Sequence, residues 1–222
     1  MAVESNMSEK QLRLTEIFYS LQGETRTAGL PTVFIRLTGC PLRCGYCDTA
    51  YAFSGGQLWS FETIMAEVQQ YHPHYVTVTG GEPLAQPNCL PLLKLLADAG
   101  YEVSLETSGA MPIEHVDSRI VVVMDLKTPS SGELQRNSYS NIKYLKPQDQ
   151  VKFVIGSQED YQWAVFKLDE YNLADRVSDV LFSPVHHQLE PRQLAEWILA
   201  DRLPVRMQLQ LHKYLWNDEP GH

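Results

Sequence analysis

Three cysteines, Cys40, Cys44 and Cys47, lie in one short stretch of the chain. Their spacing, C-x3-C-x2-C, allows three thiolates of a single loop to converge on one inorganic centre. One candidate centre is zinc, held by these cysteines and a fourth ligand. The other is an iron–sulfur cluster that has three protein ligands and one open iron. Because an open iron can bind and reduce a ligand whereas a closed zinc site cannot, the residues around the loop must distinguish the two.

The fourth cysteine, Cys89, lies far downstream beside the apolar run 90–93. Its position alone does not exclude a distant fourth ligand, but its neighbours favour a buried structural thiol. Four cysteines, three of them clustered, are not typical of a disulfide framework in a chain of 222 residues. We therefore expect the protein to work in a reducing compartment, the cytoplasm.

The composition limits the class of protein. With 222 residues, of which 44% are hydrophobic, the chain can bury the core of one large domain. We place this domain at residues 12–222, after a flexible tail at residues 1–11. The net charge of -9 gives no basic face for direct nucleic-acid binding. The polar start of the chain and the absence of an apolar run of about 18 residues predict neither a signal peptide nor a membrane span.

The elements that must position the cysteine loop alternate between strands and helices. Near-continuous Val and Ile runs that alternate with helices indicate a parallel sheet with buried strands. Residues 12–21 have a mixed pattern that fits a strand entering a turn, and 50–60 are predicted to form a loop. We predict strands at 32–38, 75–79, 101–106, 119–124, 151–155, 177–182 and 205–211, and helices at 60–71, 89–99, 158–171 and 190–200.

Polar residues recur where these strands end. In parallel sheets, ligands bind at the carboxyl ends of the strands. Turn chemistry alone would place some polar residues there, but a metal loop at the first strand end makes a shared site the better interpretation. The residues concerned are Cys40, Gly80, Gly81, Glu82, Glu106, Thr107, Ser108, Asp125, Lys127, Ser183 and His212.

Two features near the loop leave alternatives open. Gln22 and Glu24 flank Gly23, so this segment is either a surface turn or a site loop with amide and carboxylate partners. Arg36 interrupts an apolar strand just before the cysteines. It either has a solvated head at a strand edge or clamps a carboxylate through its planar fork. Because no anionic residue lies near it in sequence, a bound ligand is the partner that we predict for a buried guanidinium here.

Several motifs together resemble the radical S-adenosylmethionine superfamily. They are the C-x3-C-x2-C loop after a strand, the aromatic Tyr46 before the third cysteine, and Gly80-Gly81-Glu82-Pro83 after the next strand. The resemblance implies a four-iron four-sulfur cluster whose open iron chelates S-adenosylmethionine. One-electron cleavage of that cofactor then gives a 5′-deoxyadenosyl radical, which abstracts a substrate hydrogen.

A narrower resemblance, over about residues 14–214, is to the 7-carboxy-7-deazaguanine synthase family of queuosine biosynthesis. It rests on six further segments: 21–24, 34–40, 47–49, 106–109, 125–127 and 210–213. It implies a carbon–nitrogen lyase that converts 6-carboxy-5,6,7,8-tetrahydropterin to 7-carboxy-7-deazaguanine by ring contraction with loss of ammonia. The implied fold is α/β, an abridged, incomplete (β/α) barrel with a mostly parallel sheet. The implied partners are Mg2+, an electron donor such as flavodoxin, and a second copy in a homodimer.

The same resemblance implies roles for individual residues. Cys40, Cys44 and Cys47 would hold the cluster, and Thr49 would ligate magnesium. Glu24, Lys127 and His212 are candidates for proton transfers. The substrate would contact Leu21, Gln22, Gly23, Arg36 and Thr79, and S-adenosylmethionine would contact Tyr46, Cys47, Asp48, Gly81, Asp125, Leu126 and Lys127.

Two other functions remain as alternatives. An activase that installs a glycyl radical on a large partner protein would share the cysteine loop, but it would not need the Gln22 to Glu24 and Arg36 set. A non-enzymatic zinc module would use the three cysteines with a histidine or Cys89 as the fourth ligand.

Overall fold

The computed structural model describes residues 10–217, 219 and 221. Its nine described strands are β1 (Gln11–Leu21), β2 (Pro31–Leu37), β3 (Gln57–Ser60), β4 (Tyr75–Gly80), β5 (Glu102–Thr107), β6 (Val121–Asp125), β7 (Gln150–Ile155), β8 (Asp179–Pro184) and β9 (Arg206–Met207). The helices are α1 (Phe61–Gln70), α2 (Cys89–Asp98), α3 (Gln158–Glu170), α4 (Leu173–Arg176), α5 (Pro191–Asp201) and α6 (Leu211–Trp216). Short 3-10 turns occupy Ala50–Phe53, Pro83–Ala85, Pro129–Ser131, Leu134–Arg136 and Tyr139–Tyr144.

The strands form one sheet in the order β3-β1-β2-β4-β5-β6-β7-β8-β9. From β2 to β9 every neighbouring pair is parallel, while β1 runs antiparallel to both β2 and β3. Among the described strands, β3 and β9 are the two edges and do not pair with each other. The sheet is therefore mostly parallel and open, which confirms the predicted incomplete barrel.

Alternation along the parallel strands separates the core from the concave face. Ile35, Val78 and Leu105 are completely buried and belong to a core cluster that includes the leucines of α2. Their neighbours Arg36 and Thr79 project to the opposite side, because successive side chains of a strand point to opposite faces. The register places Arg36 directly beside Thr79. The polar members of each strand are thus gathered on one face.

A second core cluster packs the other half of the sheet against α3 and α5. Phe153 of β7 and Phe182 of β8 meet edge to face, with ring centroids 5.5 Å apart. Tyr161 of α3 and Leu194 of α5 belong to the same buried cluster. This aromatic centre anchors β7 and β8, whose carboxyl ends border the cavity described below.

Two predicted segments at the start of the sheet differ from the structure. The loop predicted at 50–60 contains the edge strand β3, which pairs with β1 from Gln57 to Ser60. The tail predicted at 1–11 is too long, because Gln11 already begins β1; residues 1–9 lie outside the described part of the chain. Among the described residues, no helix has the length and apolar character that a membrane crossing requires.

The last predicted strand, 205–211, is wrong. Only Arg206 and Met207 pair with β8, and Leu211–Trp216 is a helix, so His212 lies on α6. The chain leaves the sheet because the segment at Gly23 binds it instead. The amide of Leu211 donates to the Gly23 carbonyl at 3.2 Å, and the Gln208 side-chain amide donates to the same oxygen at 3.3 Å. The alternating pattern of 205–211 could not reveal this distant acceptor.

Candidate active site

A cavity of about 310 Å3 opens at the carboxyl ends of the parallel strands. It brings together nearly all the residues that the sequence placed at strand ends. The two exceptions are Glu82 and Ser183, which are fully buried and do not line the cavity. The predicted site residues that line it are Leu21, Gln22, Gly23, Glu24, Arg36, Cys40, Cys44, Tyr46, Cys47, Asp48, Thr49, Thr79, Gly81, Asp125, Lys127 and His212.

The cysteine loop presents all three thiols to this cavity. The loop is anchored by the Gly45 amide, which donates to the Ser131 carbonyl at 3.0 Å. Burial raises the pKa of each thiol, that of Cys44 to about 11. Since thiolates are the form that binds metal, a cationic centre would be needed to hold all three sulfurs deprotonated on this loop. The donor set therefore fits a metal cluster.

The side chain of Arg43 closes the outside of the same loop. Its guanidinium donates to the carbonyls of Cys40 at 2.7 Å and Leu42 at 2.6 Å. It also lies 4.3 Å from the centre of the Phe53 ring, within the range of a cation–π contact. These contacts fix the backbone between the first two cysteines.

The Gly80-Gly81 turn touches the cysteine loop directly. A Cβ at Gly81 would lie 2.2 Å from the Gly39 carbonyl oxygen and 2.7 Å from Cys40 Cβ. The Glu82 amide donates to the same Gly39 carbonyl at 2.9 Å. Only glycine lets the two backbones approach this closely.

The buried carboxylate of Glu82 ties the ends of β4 and β5 together. It accepts hydrogen bonds from Thr107 Oγ1 at 2.9 Å, Ser108 N at 2.8 Å and Leu84 N at 3.0 Å. Ser108 Oγ adds a fourth at 2.5 Å. A buried carboxylate with four donors is satisfied without a cation, so Glu82 positions the strand ends and does not reach the cavity.

Arg36 lines the cavity, but it has an anionic protein partner, which corrects the expectation drawn from the sequence. Its Nε lies 2.6 Å from Glu16 Oε1, and Tyr51 donates its hydroxyl to the same oxygen at 2.8 Å. Glu16 stands directly opposite Arg36 because β1 and β2 pair antiparallel. Twenty residues separate the two in sequence, so this partner depends on strand register.

The segment at Gln22 is a buried part of the cavity wall and not a surface turn. Gln22 is 1% exposed, and its amide donates to Thr77 Oγ1 and to Glu106 Oε1, each at 3.2 Å. The side-chain oxygen Oε1 of Gln22 accepts a hydrogen bond from the backbone amide of Glu24 at 3.1 Å. A Cβ at Gly23 would lie 2.7 Å from His212 Nδ1, so α6 packs directly on this segment.

Besides the Arg36–Glu16 pair, three lysine–carboxylate ion pairs of the described residues lie around the cavity. Lys127 contacts Asp125 at 2.9 Å, Lys213 contacts Asp48 at 3.2 Å, and Lys152 contacts Glu24.

Burial and the ion pairs act on the lysine pKa values in opposite directions. Burial alone would lower the pKa of Lys127, but the carboxylate of Asp125 raises it above its usual range. Burial would likewise lower the pKa of Lys152, but the carboxylates of Glu24, Asp125 and Glu106 together raise it. Both ammonium groups are therefore held charged at neutral pH.

Helix α6 connects two of the acidic residues. Gln210 donates its side-chain amide to Glu24 and, at 3.2 Å, to Asp48. Thr49 Oγ1 donates to the other carboxylate oxygen of Asp48 at 2.9 Å. One ligand atom each of Glu24, Asp48 and His212 lie within 4.8 Å of one another, a separation that a metal ion could bridge.

The sequence analysis missed several residues that line the cavity, among them Lys152, Gln210, Lys213 and Glu219. Lys152 could have been recognised as a candidate site residue from the sequence, because a lysine inside the apolar run 151–155 is unusual in a buried strand. Leu126 was expected to contact cofactor, but its side chain is completely buried in the second core cluster. Only its backbone can face a ligand.

Comparisons with known proteins agree with this geometry. Residues 34–120, which contain the cysteine loop and the Gly80-Gly81 turn, match the Radical SAM superfamily. The chain is 45% identical to a 7-carboxy-7-deazaguanine synthase of Chlorobaculum tepidum, over 96% of this chain and 97% of that protein. It is 41% identical to a protein of the same name from Koribacter versatilis, over 94% of this chain and 98% of the other.

A solved structure has the same fold. The crystal structure of QueE from Escherichia coli matches 94% of this chain and 98% of its own, with a TM-score of 0.77. The sequence identity of 24% limits that comparison to the fold.

Proposed function

Because this chain belongs to the 7-carboxy-7-deazaguanine synthase family, we propose that it converts 6-carboxy-5,6,7,8-tetrahydropterin to 7-carboxy-7-deazaguanine, with ring contraction and loss of ammonia. The observation that supports this most directly is the placement of three thiols, a glycine backbone and paired charges around one cavity. The product would serve queuosine biosynthesis.

Membership of the radical S-adenosylmethionine superfamily implies two cofactors, a four-iron four-sulfur cluster and S-adenosylmethionine. Cys40, Cys44 and Cys47 would hold the cluster, leaving one iron for the second cofactor. When bound, the two supply the radical that removes a substrate hydrogen. Cys40, Cys44 and Cys47 line one cavity and form no disulfide bond, as ligation of a cluster requires.

The residues assigned to S-adenosylmethionine surround the cysteine loop. Tyr46, Cys47 and Asp48 belong to that loop, and Gly81 touches it through the contact with Gly39. Asp125 and Lys127 face the cavity as an ion pair, while Leu126 offers backbone only. The protein orients the cofactor and leaves the bond-breaking chemistry to it.

The substrate would lie against Leu21, Gln22, Gly23, Arg36 and Thr79. Arg36 uses Nε for Glu16, which fixes the plane of its guanidinium. The outer Nη atoms of that plane are the ones that we assign to the substrate carboxylate, because a planar fork suits two parallel hydrogen bonds. Glu16 thus orients the group that binds substrate.

We assign magnesium to Thr49, with Asp48 beside it. Magnesium prefers hard oxygen ligands and keeps several waters, so a threonine hydroxyl together with substrate oxygens suits it. The Thr49 hydroxyl donates its proton to Asp48 at 2.9 Å, so the lone pairs of its oxygen remain available to a cation.

Glu24, Lys127 and His212 remain our candidates for proton transfers. The ion pair of Glu24 with Lys152 lowers the pKa of this carboxyl, although burial opposes the change. Glu24 is therefore an anion at neutral pH and can accept a proton. Lys127 is held as a cation and can donate one. His212 sits on α6 at the mouth formed by the Gln22 to Glu24 segment.

The partners are an external one-electron donor, flavodoxin or a similar carrier, and a second copy of the chain in a homodimer. We propose the cytoplasm as the compartment, because all four cysteines are free thiols and the cluster needs reducing conditions.

The test is anaerobic turnover of the tetrahydropterin by protein reconstituted with iron, sulfide and S-adenosylmethionine. Formation of 7-carboxy-7-deazaguanine without any partner protein substrate is the expected result. A colourless protein with stoichiometric zinc would establish a zinc module instead, and radical transfer only to a partner protein would establish an activase.

A further inference from the structure

Two backbone amides of the cysteine loop are bound by residues that do not line the cavity. The amides belong to Arg43 and Gly45, which flank Cys44 in the chain. The Arg43 amide donates to Glu133 Oε1 at 2.5 Å, and the Gly45 amide donates to the Ser131 carbonyl at 3.0 Å. Neither acceptor residue lines the cavity. The middle cysteine of the loop is therefore held on both sides by the segment that follows β6.

This segment, residues 128–133, is itself fixed by hydrogen bonds of two buried hydroxyl groups. Thr128 Oγ1 donates to the Val154 carbonyl of β7 at 2.8 Å, and Ser131 Oγ donates to the Thr128 carbonyl at 2.6 Å. The Ser131 hydroxyl oxygen also accepts from the Glu133 amide at 3.0 Å. These bonds attach the segment to β7 and fix its two acceptors relative to each other.

The buried carboxylate of Asp160 joins the same segment to α3. Asp160 lies in the first turn of α3 and is completely buried. Ser130 donates to it twice, through its backbone amide at 2.8 Å and through its hydroxyl, and the amide of Gly156 donates at 2.8 Å. The positive end of the helix dipole favours a carboxylate in this turn. One side chain thus connects the 128–133 segment, the end of β7 and the start of α3.

We propose that Asp160 is a positioning residue for the iron–sulfur cluster, and that it acts on Cys44 through the 128–133 segment. Asp160 does not line the cavity, so it acts through the segment alone. Residues behind a metal ligand fix its direction, and their loss commonly weakens metal binding by about 10- to 100-fold. This inference rests on the proposed function, because it concerns the cluster that the three cysteines would hold.

The substitution Asp160→Asn tests the proposal. The amides of Ser130 and Gly156 donate to different oxygens of Asp160, so the side-chain nitrogen of the variant must face one of the two donors. One hydrogen bond is therefore lost and the segment must shift. The measurement is the rate at which an excess of iron chelator bleaches the cluster of the reconstituted, anaerobic protein. We expect bleaching about tenfold faster than in the wild type, or more, with an altered electron paramagnetic resonance spectrum of the reduced cluster.

Asp149→Asn is the matched control. Asp149 is as completely buried as Asp160, and its two oxygens likewise accept separate backbone amides, from Val122 and Lys146, each at 2.8 Å. It directly precedes β7 and so lies at the amino ends of the strands, opposite the cysteine loop. We expect both variants to lower the midpoint of thermal unfolding, but Asp149→Asn to keep the wild-type rate of bleaching and the wild-type spectrum.

Glu133 provides a second pair of variants, which decides the question if Asp160→Asn does not fold. Glu133 is partly exposed, so its substitution threatens the fold less. Glu133→Ala removes the acceptor of the Arg43 amide and should bleach faster than the wild type. Glu133→Gln keeps an acceptor oxygen at the same place and should bleach at the wild-type rate.

The outcomes separate this inference from the proposed function. A merely structural role of Asp160 would give equal bleaching rates in Asp160→Asn and Asp149→Asn, and equal rates within either pair of variants would overturn the proposal. A wild-type protein that takes up no iron and sulfide would contradict the cluster itself, and the proposed function would then fail together with this inference.

Discussion

At the scale of single residues, the site combines groups whose roles follow from chemistry with groups whose partners follow from geometry. The thiols of Cys40, Cys44 and Cys47 face one cavity, while Cys89 is completely buried on α2. Burial raises the pKa of the Cys89 thiol far above its usual range. It therefore behaves as a small apolar side chain and not as a ligand.

We predict that Ala substitution of Cys40, Cys44 or Cys47 abolishes the cluster, and that Cys89→Ala does not. The first three remove a ligand, whereas the fourth leaves a small core cavity and costs about 1 kcal/mol of stability. Iron and acid-labile sulfide after anaerobic reconstitution, together with thermal unfolding, measure both effects. Loss of iron in Cys89→Ala would overturn the three-ligand assignment.

Thr49→Ala should weaken the magnesium dependence of turnover and raise the substrate concentration needed. The hydroxyl that we assign to the metal is lost, while the cysteine loop keeps its thiols. Magnesium titrations of turnover, with iron content as the control, measure the change. Titration curves identical to the wild type would mean that magnesium binds elsewhere.

Arg36→Ala should weaken pterin binding by on the order of 2–5 kcal/mol, the usual range for removing one partner of a buried charge pair, and Arg36→Lys should weaken it by less. Lysine keeps the charge and can still reach Glu16, but it loses the planar fork. Cluster assembly and slow cleavage of S-adenosylmethionine without substrate should survive.

Glu16→Gln is the informative companion to this variant. It keeps the fork of Arg36 and removes only the anion that orients it, so its binding defect should be smaller than that of Arg36→Lys. Calorimetric titration with the pterin measures both. Wild-type affinity in Arg36→Lys and Arg36→Ala alike would place the carboxylate on another residue.

At the scale of the elements, turns at strand ends bring separate loops into contact. The Gly80-Gly81 turn after β4 packs against the cysteine loop after β2, and α6 packs against the segment between β1 and β2. These contacts join pieces that the parallel sheet already places side by side. Small residues are required at the points of contact.

We predict that Gly81→Ala prevents assembly of the cluster. The new Cβ would lie 2.2 Å from a backbone oxygen of the cysteine loop, so one of the two loops must move. Gly45→Ala is the matched control within the loop itself, because its Cβ would meet nothing closer than 3.8 Å. Iron content should fall in the first variant and remain in the second; equal iron in both would contradict the steric argument.

At the scale of the whole molecule, one ion pair links the two halves of the open sheet. Glu24, between β1 and β2, contacts Lys152 of β7 although 128 residues separate them. Beside this pair the Arg26 amide donates to Gln150 Oε1 at 2.8 Å. These contacts join the segment between β1 and β2 to β7 across the open sheet.

Lys152→Met should destabilise the fold by roughly 3–5 kcal/mol, because it leaves the Glu24 carboxylate buried without its cation. The double variant Glu24→Gln with Lys152→Met should recover part of that loss. Lys94→Met removes an exposed lysine paired with Asp98 and should cost less than about 1 kcal/mol. Chemical denaturation of the three variants measures these differences, and equal effects of the buried and the exposed lysine would contradict the assignment.

The same pair gives a pH dependence of stability. Burial raises the pKa of Glu24, but the charges of Lys152 and His212 and the hydrogen bond from Lys152 together bring its folded-state pKa below the ordinary value of 4.5. Its contribution is therefore present above pH 4.5 and is lost as the pH falls through the lower folded-state value. Lys152, whose pKa is raised, contributes fully below its ordinary value of 10.5 and loses this on the alkaline side. Unfolding of Lys152→Met should show a weaker acid dependence than the wild type.

The sequence by itself determined the chemistry that depends on local spacing. The cysteine loop, the Gly80-Gly81 turn and the alternation of strands and helices are properties of short segments. Covalent spacing alone brings three thiols of one loop together, and the carboxyl ends of parallel strands always share an edge. The mostly parallel open sheet could therefore be predicted and was confirmed, while the binding of a cluster by the cysteine loop stays a prediction.

Only the tertiary structure decided which charged groups meet. Arg36 contacts Glu16 because β1 and β2 pair antiparallel, and Glu24 contacts Lys152 of β7 although 128 residues separate the two in sequence. The segment after β9 leaves the sheet and forms helix α6, because the Gly23 carbonyl accepts a hydrogen bond from the Leu211 amide. Each of these partners lies far away in sequence, so a local residue pattern cannot show that the two side chains meet. Strand pairing brings them into contact and thereby determines which charges face each other in the site.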